Sequence, residues 1–343
     1  NGNLFVAFGM DAEGAYPLAA HRYNIATMTW TELSSASKGR EIAAAAFLDS
    51  SIYVFGGWNG VDFSNLADFL RLDVGASCSG DVCDWTTISG GCDIPPDRQN
   101  AAMSAVGGKV VLFGGAATDG LTNLIHTFNP ADSTWTAITD ATGTAPSARQ
   151  KTMSAVIGCK VYYFGGCTGG WPCEDPSIQS NELFAYQVSD CSTSAWTEIS
   201  LSGQVPSPRS SHGLAAVGSF LYVFGGFAPP DRKNDLYQID PASGQCTQLD
   251  AAAGVAGTPP SVRRCFGFAA EGTDIYAFGS AQESPAGSND LHKFDTVARS
   301  WEEINDSIGV MGTPPSSRWC LNMVAGNGNL FVAFGMDAEG AYP

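Results

Sequence analysis

Short apolar runs separated by turn-forming residues dominate the hydrophobic pattern of this chain. Residues 52–55 and 221–224 are typical: each run has four β-branched, aromatic or leucine side chains, and a Gly-Gly pair follows it. Apolar positions rarely recur at the 3.6-residue period of a helix, so the pattern predicts strands joined by tight glycine turns. We therefore expect an all-β protein.

One of these runs recurs along the whole chain. An aromatic strand ending in Phe-Gly occurs seven times, at intervals of 47 to 60 residues. Its glycines are Gly9, Gly56, Gly114, Gly165, Gly225, Gly279 and Gly335. A period of this size indicates a repeated supersecondary unit that buries its faces against its neighbours.

Three further markers accompany each Phe-Gly strand in a fixed order. A Pro-x-x-Arg element, degenerate at Arg40, lies 16 residues before the glycine, or 17 in the last repeat. An Asn-Asp-Leu-Tyr strand, as at 234–237, and then a tryptophan strand follow the glycine. The marker arginines are Arg40, Arg98, Arg149, Arg209, Arg263 and Arg318. Each unit thus supplies four short strands.

These markers resemble the kelch repeat in its Pro-x-x-Arg, Phe-Gly-Gly, Asn-Asp-Leu-Tyr, Trp variety. The resemblance covers the chain and implies a single domain, 1–343, folded as a six-bladed β-propeller of four-stranded antiparallel blades. The sequence departs from the family pattern at Met10, Ser280 and Cys246, the last of which stands in a tryptophan slot.

The two ends of the chain carry the same sequence. Residues 1–17 recur without change at 327–343. We expect both ends of the chain to pair in one blade. The second strand of that blade then has two identical candidates. We favour the C-terminal copy because a tight turn joins it directly to the first strand of the same blade. The displaced copy can pair with another molecule. The duplication is compatible with an excerpt from a tandem array or with an artefact of assembly.

Composition narrows the choice of partners. The chain has 34 acidic and 17 basic residues, a net charge of −17, which opposes binding to nucleic acid. No apolar run reaches the length of a membrane span, so direct membrane insertion is not expected. The sequence has neither an initiator methionine nor a signal peptide, so we interpret it as a mature form or an excerpt.

Cysteine spacing bears on the cellular compartment. Among ten cysteines, Cys78 and Cys83 share one loop, and Cys167 and Cys173 share another. Such pairs predict disulfides in an extracellular or secretory setting, and the sequon at Asn305 is consistent with glycosylation there. Free thiols in a cytosolic protein are the alternative. Whether Cys265 bonds to Cys320, two residues beyond neighbouring arginine markers, stays open.

The arginine series allows two roles. Each marker arginine either braces backbone carbonyls or acidic side chains, or contributes to a ring that binds an anion at one mouth of the channel. Trp58, Trp171 and Trp319 lie outside the structural tryptophan slot and map to the same face. These nine residues are the candidate ligand-binding set. We expect no catalytic residue, metal site or cofactor, because the four histidines fall in separate repeats.

We therefore predict an extracellular, non-enzymatic binding or assembly module that uses this loop face for a glycan, peptide or protein. One alternative is an enzyme acting on an anionic sugar, by analogy with the sialic acid mutarotases built on kelch repeats. The other is an intracellular protein-interaction scaffold.

Overall fold

A computed structural model describes residues 5–7, 19–35, 39–75, 84–89, 91–188, 193–280, 288–326, 329–333 and 336–337. Within these ranges the regular structure is β-sheet, apart from two 3₁₀ turns at Pro176–Ile178 and Asp306–Ile308. The all-β prediction is confirmed.

Five sheets each contain four consecutive antiparallel strands, one sheet for each sequence repeat, and are called blades 2 to 6. Blade 2 comprises Ala44–Leu48, Ser51–Phe55, Phe69–Asp73 and Trp85–Thr87. Blade 3 comprises Ala102–Val106, Lys109–Phe113, Ile125–Asn129 and Thr134–Ile138. Blade 4 comprises Met153–Ile157, Lys160–Phe164, Leu183–Gln187 and Ala195–Ile199.

Blades 5 and 6 follow the same plan. Blade 5 comprises Gly213–Val217, Phe220–Ala228, Asp231–Asp240 and Gln245–Gln248, with Ser202–Gly203 added in parallel at its outer edge. Blade 6 comprises Gly267–Glu271, Asp274–Phe278, Leu291–Asp295 and Ser300–Ile304. In blade 5 the second and third strands are 9 and 10 residues long, and their pairing continues as far as Ala228 and Asp231.

A sixth sheet, the seam sheet, combines strands from both ends of the chain. Its order is Thr29–Ser35, Ala19–Asn24, Phe5–Ala7, Asn329–Ala333 and Asn322–Gly326. Both copies of the duplicated segment lie against the second of these strands, since Val6 and Val332 each stand opposite His21.

Short two-residue ribbons extend the loop side of the repeats. They pair Trp58–Asn59 with Ser64–Asn65, Ala116–Ala117 with Gly120–Leu121, and Arg318–Trp319 with Met336–Asp337.

Large side chains fill the spaces between adjacent sheets. Trp135 of blade 3 packs on Phe55 and Phe69 of blade 2, with ring centroids 5.7 and 4.8 Å apart. Trp30 of the seam sheet similarly packs on Phe278 of blade 6 at 5.5 Å. Buried aromatic rings of this size supply most of the apolar area that joins one blade to the next.

The first strands of the sheets stand side by side around a central cavity of about 350 Å³. Alanine side chains line much of it, including Ala45, Ala105 and Ala155. Small side chains let the inner strands approach closely, which is the arrangement of a β-propeller.

Candidate functional site

The marker arginines Arg40, Arg98, Arg149, Arg209 and Arg263 are buried beside the Phe-Gly turns. Each donates from Nη1 to the carbonyl of the glycine 16 residues later, at 2.9 to 3.2 Å. Four of them also pair with a carboxylate, through the pairs Arg40–Asp68, Arg149–Glu182, Arg209–Asp235 and Arg263–Asp290. The five guanidinium groups thus brace their own blades, and an external anion would have to displace these partners.

The acidic partners come from a second sequence marker. Asp235 and Asp290 are the aspartates of the two Asn-Asp-Leu segments, and Asp68 and Glu182 occupy the matching positions. Blade 3 has Leu124 there, and Leu124 is 50% exposed. In this blade Nη2 of Arg98 has no partner within the described residues, and burial lowers the pKa of Arg98 to about 10.

A ring of left-handed residues surrounds the cavity mouth beside these arginines. Each member lies two residues after a marker arginine and has a φ between 49° and 56°. The members are Ile42, Asn100, Lys151, Ser211, Cys265 and Cys320. The N–H of each donates to the carbonyl of the preceding member at 2.8 to 3.4 Å, and Ile42 donates to Cys320.

A second cavity, of about 620 Å³, lies beside the hairpin of blade 5, between a loop of blade 4 and the segment that leads into blade 6, and is called the basic cleft. Its lining comprises Glu174, Phe227, Pro230, Asp231, Arg232, Lys233, Val262 and Arg264. The guanidinium of Arg264 lies over the ring of Phe227, 4.7 Å from its centroid. The Lys233 ammonium pairs with Asp231 at 3.0 Å. Burial and the neighbouring Arg264 lower the pKa of Arg232.

The three candidate tryptophans have different environments. Trp171 is 73% exposed on the loop that also carries Glu174, and Nζ of Lys151 lies 4.6 Å from its ring centroid. Trp58 is partly buried, and its backbone pairs with that of Glu41 in both directions. The backbones of Arg318 and Trp319 pair with Met336–Asp337, whereas their side chains lie outside the described residues. The loop side therefore presents two cation–aromatic pairs, Lys151–Trp171 and Arg264–Phe227.

The cysteines also fall into distinct groups. Cys167 and Cys173 form a disulfide with their Cα atoms 6.0 Å apart, whereas Cys78 and Cys83 lie outside the described residues. Cys159 is disulfide-bonded as well. Within the described residues the free cysteines are Cys92, Cys246, Cys265 and Cys320.

Cys265 and Cys320 are adjacent members of the ring at the cavity mouth. A hydrogen bond from the Cys320 thiol holds the pKa of Cys265 well below its usual range, and Lys151 and Arg264 add to this effect against the opposing effect of burial. The same contact raises the pKa of Cys320. Burial raises the pKa of Glu41 to about 7, and the charge of Cys265 contributes to the increase.

Among the described residues, no group of three or more His, Cys, Asp and Glu side chains is arranged to hold a metal ion.

His212 lines the central cavity, and burial lowers its pKa to about 3. Neither of its ring nitrogens has a hydrogen-bond partner in the part of the chain that the structure describes. Its ring packs edge-on against Phe164 at 5.2 Å.

Asn305 is partly buried and caps a 3₁₀ turn. Its Oδ1 accepts hydrogen bonds from the backbone N–H and the hydroxyl of Ser307, at 3.0 and 2.6 Å. Glycosylation at this sequon remains a prediction. Across the described ranges, no helix has the length and apolar character required to cross a bilayer.

The repeat geometry agrees with a comparison against known families. The model of the KLHDC2/KLHL20/DRC7 Kelch-repeats domain matches residues 1–189 and 167–342. The chain belongs to the kelch-repeat family. Its fold is therefore an all-β kelch β-propeller, as the sequence markers predict.

Kelch relatives among characterised proteins cover the chain to different extents. Kelch domain-containing protein 3 of Bos taurus is 24% identical over 357 residues, 94% of this chain and 89% of that protein. The leucine-zipper-like transcriptional regulator 1 homolog of Drosophila melanogaster is 29% identical over 187 residues, but this chain spans only 18% of its length. The N-(sulfonatooxy)prop-2-enimidothioate sulfolyase of Thlaspi arvense is 34% identical over 142 residues, 40% of this chain and 38% of that enzyme.

The candidate set from sequence omits the basic residues that line the accessible surface of this kelch propeller. Lys151, Arg232 and Arg264 do not occupy the arginine marker position, so the repeat pattern does not point to them. The sequence does contain a signal for two of these residues, because Arg264 and Lys151 lie one and two residues after a marker arginine. Basic residues that break the repeat, in a chain with only 17 of them, indicate a local surface property.

Proposed function

We propose that this kelch propeller is a protein-interaction module that binds a peptide segment rich in acidic and aromatic side chains in the basic cleft. The observation that carries the proposal is the contact of Arg264 with Phe227, two residues that line the cleft. A second cation–aromatic contact, Lys151 on Trp171, lies on the loop that contributes Glu174 to the cleft. Guanidinium groups bind carboxylates in a bidentate manner, and exposed aromatic rings accept apolar and aromatic side chains. Such a site is distinctive in a chain whose net charge is −17.

Peptide binding to the basic cleft is testable by fluorescence anisotropy with a library of acidic, aromatic-containing peptides. We expect Arg264→Ala to weaken the selected peptides about tenfold, the loss of roughly one charge-assisted contact. Trp171→Ala should weaken them by about threefold to tenfold. Arg299→Ala, which removes a cation from an outer strand connection, is the matched control. Unchanged affinity in both Arg264→Ala and Trp171→Ala would contradict the proposal.

The name of one relative supports the intracellular scaffold alternative better than the extracellular prediction, because that protein is named a transcriptional regulator. The free, adjacent thiols of Cys265 and Cys320 are also typical of a reducing compartment. The Cys167–Cys173 disulfide and the disulfide-bonded Cys159 support the extracellular prediction. We place the module inside the cell, where alkylation in intact cells should find Cys265 and Cys320 reduced.

For the architecture, we propose six blades, with the seam sheet as blade 1 in a single domain of residues 1–343. The hydrogen-bonded ring supports this, since it contains one residue per blade and returns from Cys320 to Ile42. The bond from Trp30 N–H to the Met311 carbonyl supports it too, because Trp196 and Trp301 make the equivalent bond to the preceding blade. The Arg318–Trp319 ribbon with Met336–Asp337 favours the C-terminal copy as the second strand.

A further inference from the structure

Cys265 and Cys320 occupy neighbouring positions on adjacent inner strands. The backbone N–H of Cys320 donates to the carbonyl of Cys265 at 2.8 Å, which fixes the two residues side by side. Their side chains also interact, since the Cys320 thiol lowers the pKa of Cys265. Both side chains are free, partly buried and part of the lining of the central cavity. A small molecule in the cavity can therefore approach them.

The groups around this pair favour a thiolate on Cys265 and a thiol on Cys320. Lys151 and Arg264 bring positive charge to Cys265, and the Ser211 hydroxyl donates a hydrogen bond to it. Arg232 also lies within electrostatic reach of both cysteines. Glu41 is the nearby acid, and its charge opposes ionisation of Cys320. Reactive cysteines are found in such electropositive, partly exposed environments, whereas structural cysteines are inert.

We propose that Cys265 and Cys320 form a thiol–disulfide exchange site at the mouth of the channel, with Cys265 as the attacking thiol and Cys320 as the resolving thiol. The co-reactant is a small disulfide, RSSR. The Cys265 thiolate attacks one sulfur of RSSR, forms a Cys265–SR bond and releases RS⁻. Cys320 then loses its proton to solvent and attacks the Cys265 sulfur, and a second RS⁻ leaves. RSSR is reduced to two thiols, and the protein dithiol is oxidised to a disulfide.

The first test compares reaction rates within the unmodified protein. Limiting iodoacetamide at pH 6, followed by peptide mass spectrometry, should label Cys265 at least tenfold faster than Cys92, an exposed free thiol. Lys151→Met should slow labelling of Cys265 at pH 6 and leave Cys92 unaffected. Labelling of Cys265 no faster than Cys92 in the wild-type chain would overturn the proposal.

The second test uses oxidised glutathione as the small disulfide. The wild-type chain should lose two hydrogens, carry no glutathione on either cysteine and yield a Cys265–Cys320 cross-linked peptide. Cys320→Ser should stop at one glutathione on Cys265, and Cys265→Ser should form no adduct at Cys320 faster than at Cys92. A stable glutathione adduct on Cys265 of the wild-type chain would show that Cys320 does not resolve it, and would overturn the assignment of a paired site.

Discussion

At the scale of single residues, four of the five buried marker arginines depend on an acid from a different repeat marker. Arg209 shows the complete arrangement, with both oxygens of Asp235 accepting from its guanidinium at 2.6 and 2.9 Å. The arginine positions were predictable from their 16-residue spacing. Their acidic partners were less predictable, because sequence alone is equally compatible with a solvent-exposed acid at the second position of the Asn-Asp-Leu marker. Only the fold brings the two markers together.

Blade 3 lacks the acidic partner of its marker arginine, and a single substitution can supply one. Leu124→Asp places a carboxylate where the other blades have one, beside the buried Arg98 whose Nη2 lacks a partner in the described structure. A charge-assisted hydrogen bond stabilises by about 1.5–3 kcal/mol, so we expect the free energy of unfolding to rise by about 1–2 kcal/mol. Urea unfolding followed by tryptophan fluorescence measures the change. Leu124→Asn is the isosteric control, and a gain no larger than that of the control would rule out the pairing.

At the scale of elements, the strands and the links between blades differ in how far sequence predicts them. The second strand of each blade was predictable because short runs of aromatic and β-branched residues are typical of β-strands. The link between blades was not, because it lies in irregular connections. There, the N–H of Trp301 donates to the carbonyl of Ala256, and Trp196 and Trp30 make equivalent bonds. Gly257, which follows Ala256, brings its backbone against the Trp301 carbonyl.

A pair of glycines in the same connection tests this link. Gly257 and Gly254 both have positive φ, +74° and +83°, so alanine is strained to a similar degree at each. A Cβ on Gly257 would also meet the Trp301 carbonyl, whereas one on Gly254 would meet nothing within 4 Å. We expect Gly254→Ala to lower the free energy of unfolding by about 1 kcal/mol, and Gly257→Ala to lower it by at least about 3 kcal/mol. Equal losses in thermal unfolding would show that the close approach is unimportant.

At the scale of the whole molecule, repeat order predicted the blades, but the identical terminal segments left one strand position undecided. Sequence cannot separate the two copies, because their side chains are the same and only the connections differ. The C-terminal copy follows its hairpin partner Asn322–Gly326 after two residues, so forming this pair has a low loop-closure cost. The N-terminal copy reaches Ala19–Asn24 through a longer connection.

Two truncations identify the copy that completes the seam sheet. Deleting residues 1–17 should leave the melting temperature within about 2 °C of the full chain, because the hairpin copy remains. Deleting residues 327–343 should lower it by about 5 °C or more, a shift that corresponds to about 2 kcal/mol or more for a chain of this size. The opposite ranking would assign the position to the N-terminal copy. Size-exclusion chromatography of the same proteins tests self-association, which should be lost without residues 1–17.

The ring at the channel mouth has an electrostatic consequence. Its six N–H to C=O bonds point the same way around the circle, so the dipole of each peptide is followed by the next until the series returns to its start. Dipoles aligned along a helix add up to a field at its ends, but dipoles arranged head to tail around a circle cancel. The backbone therefore contributes little axial field to the channel. The attraction or repulsion of an entering ion is set by side chains, among them Lys151, which lines the cavity, and a substitution there changes the charge of the entrance without altering the ring.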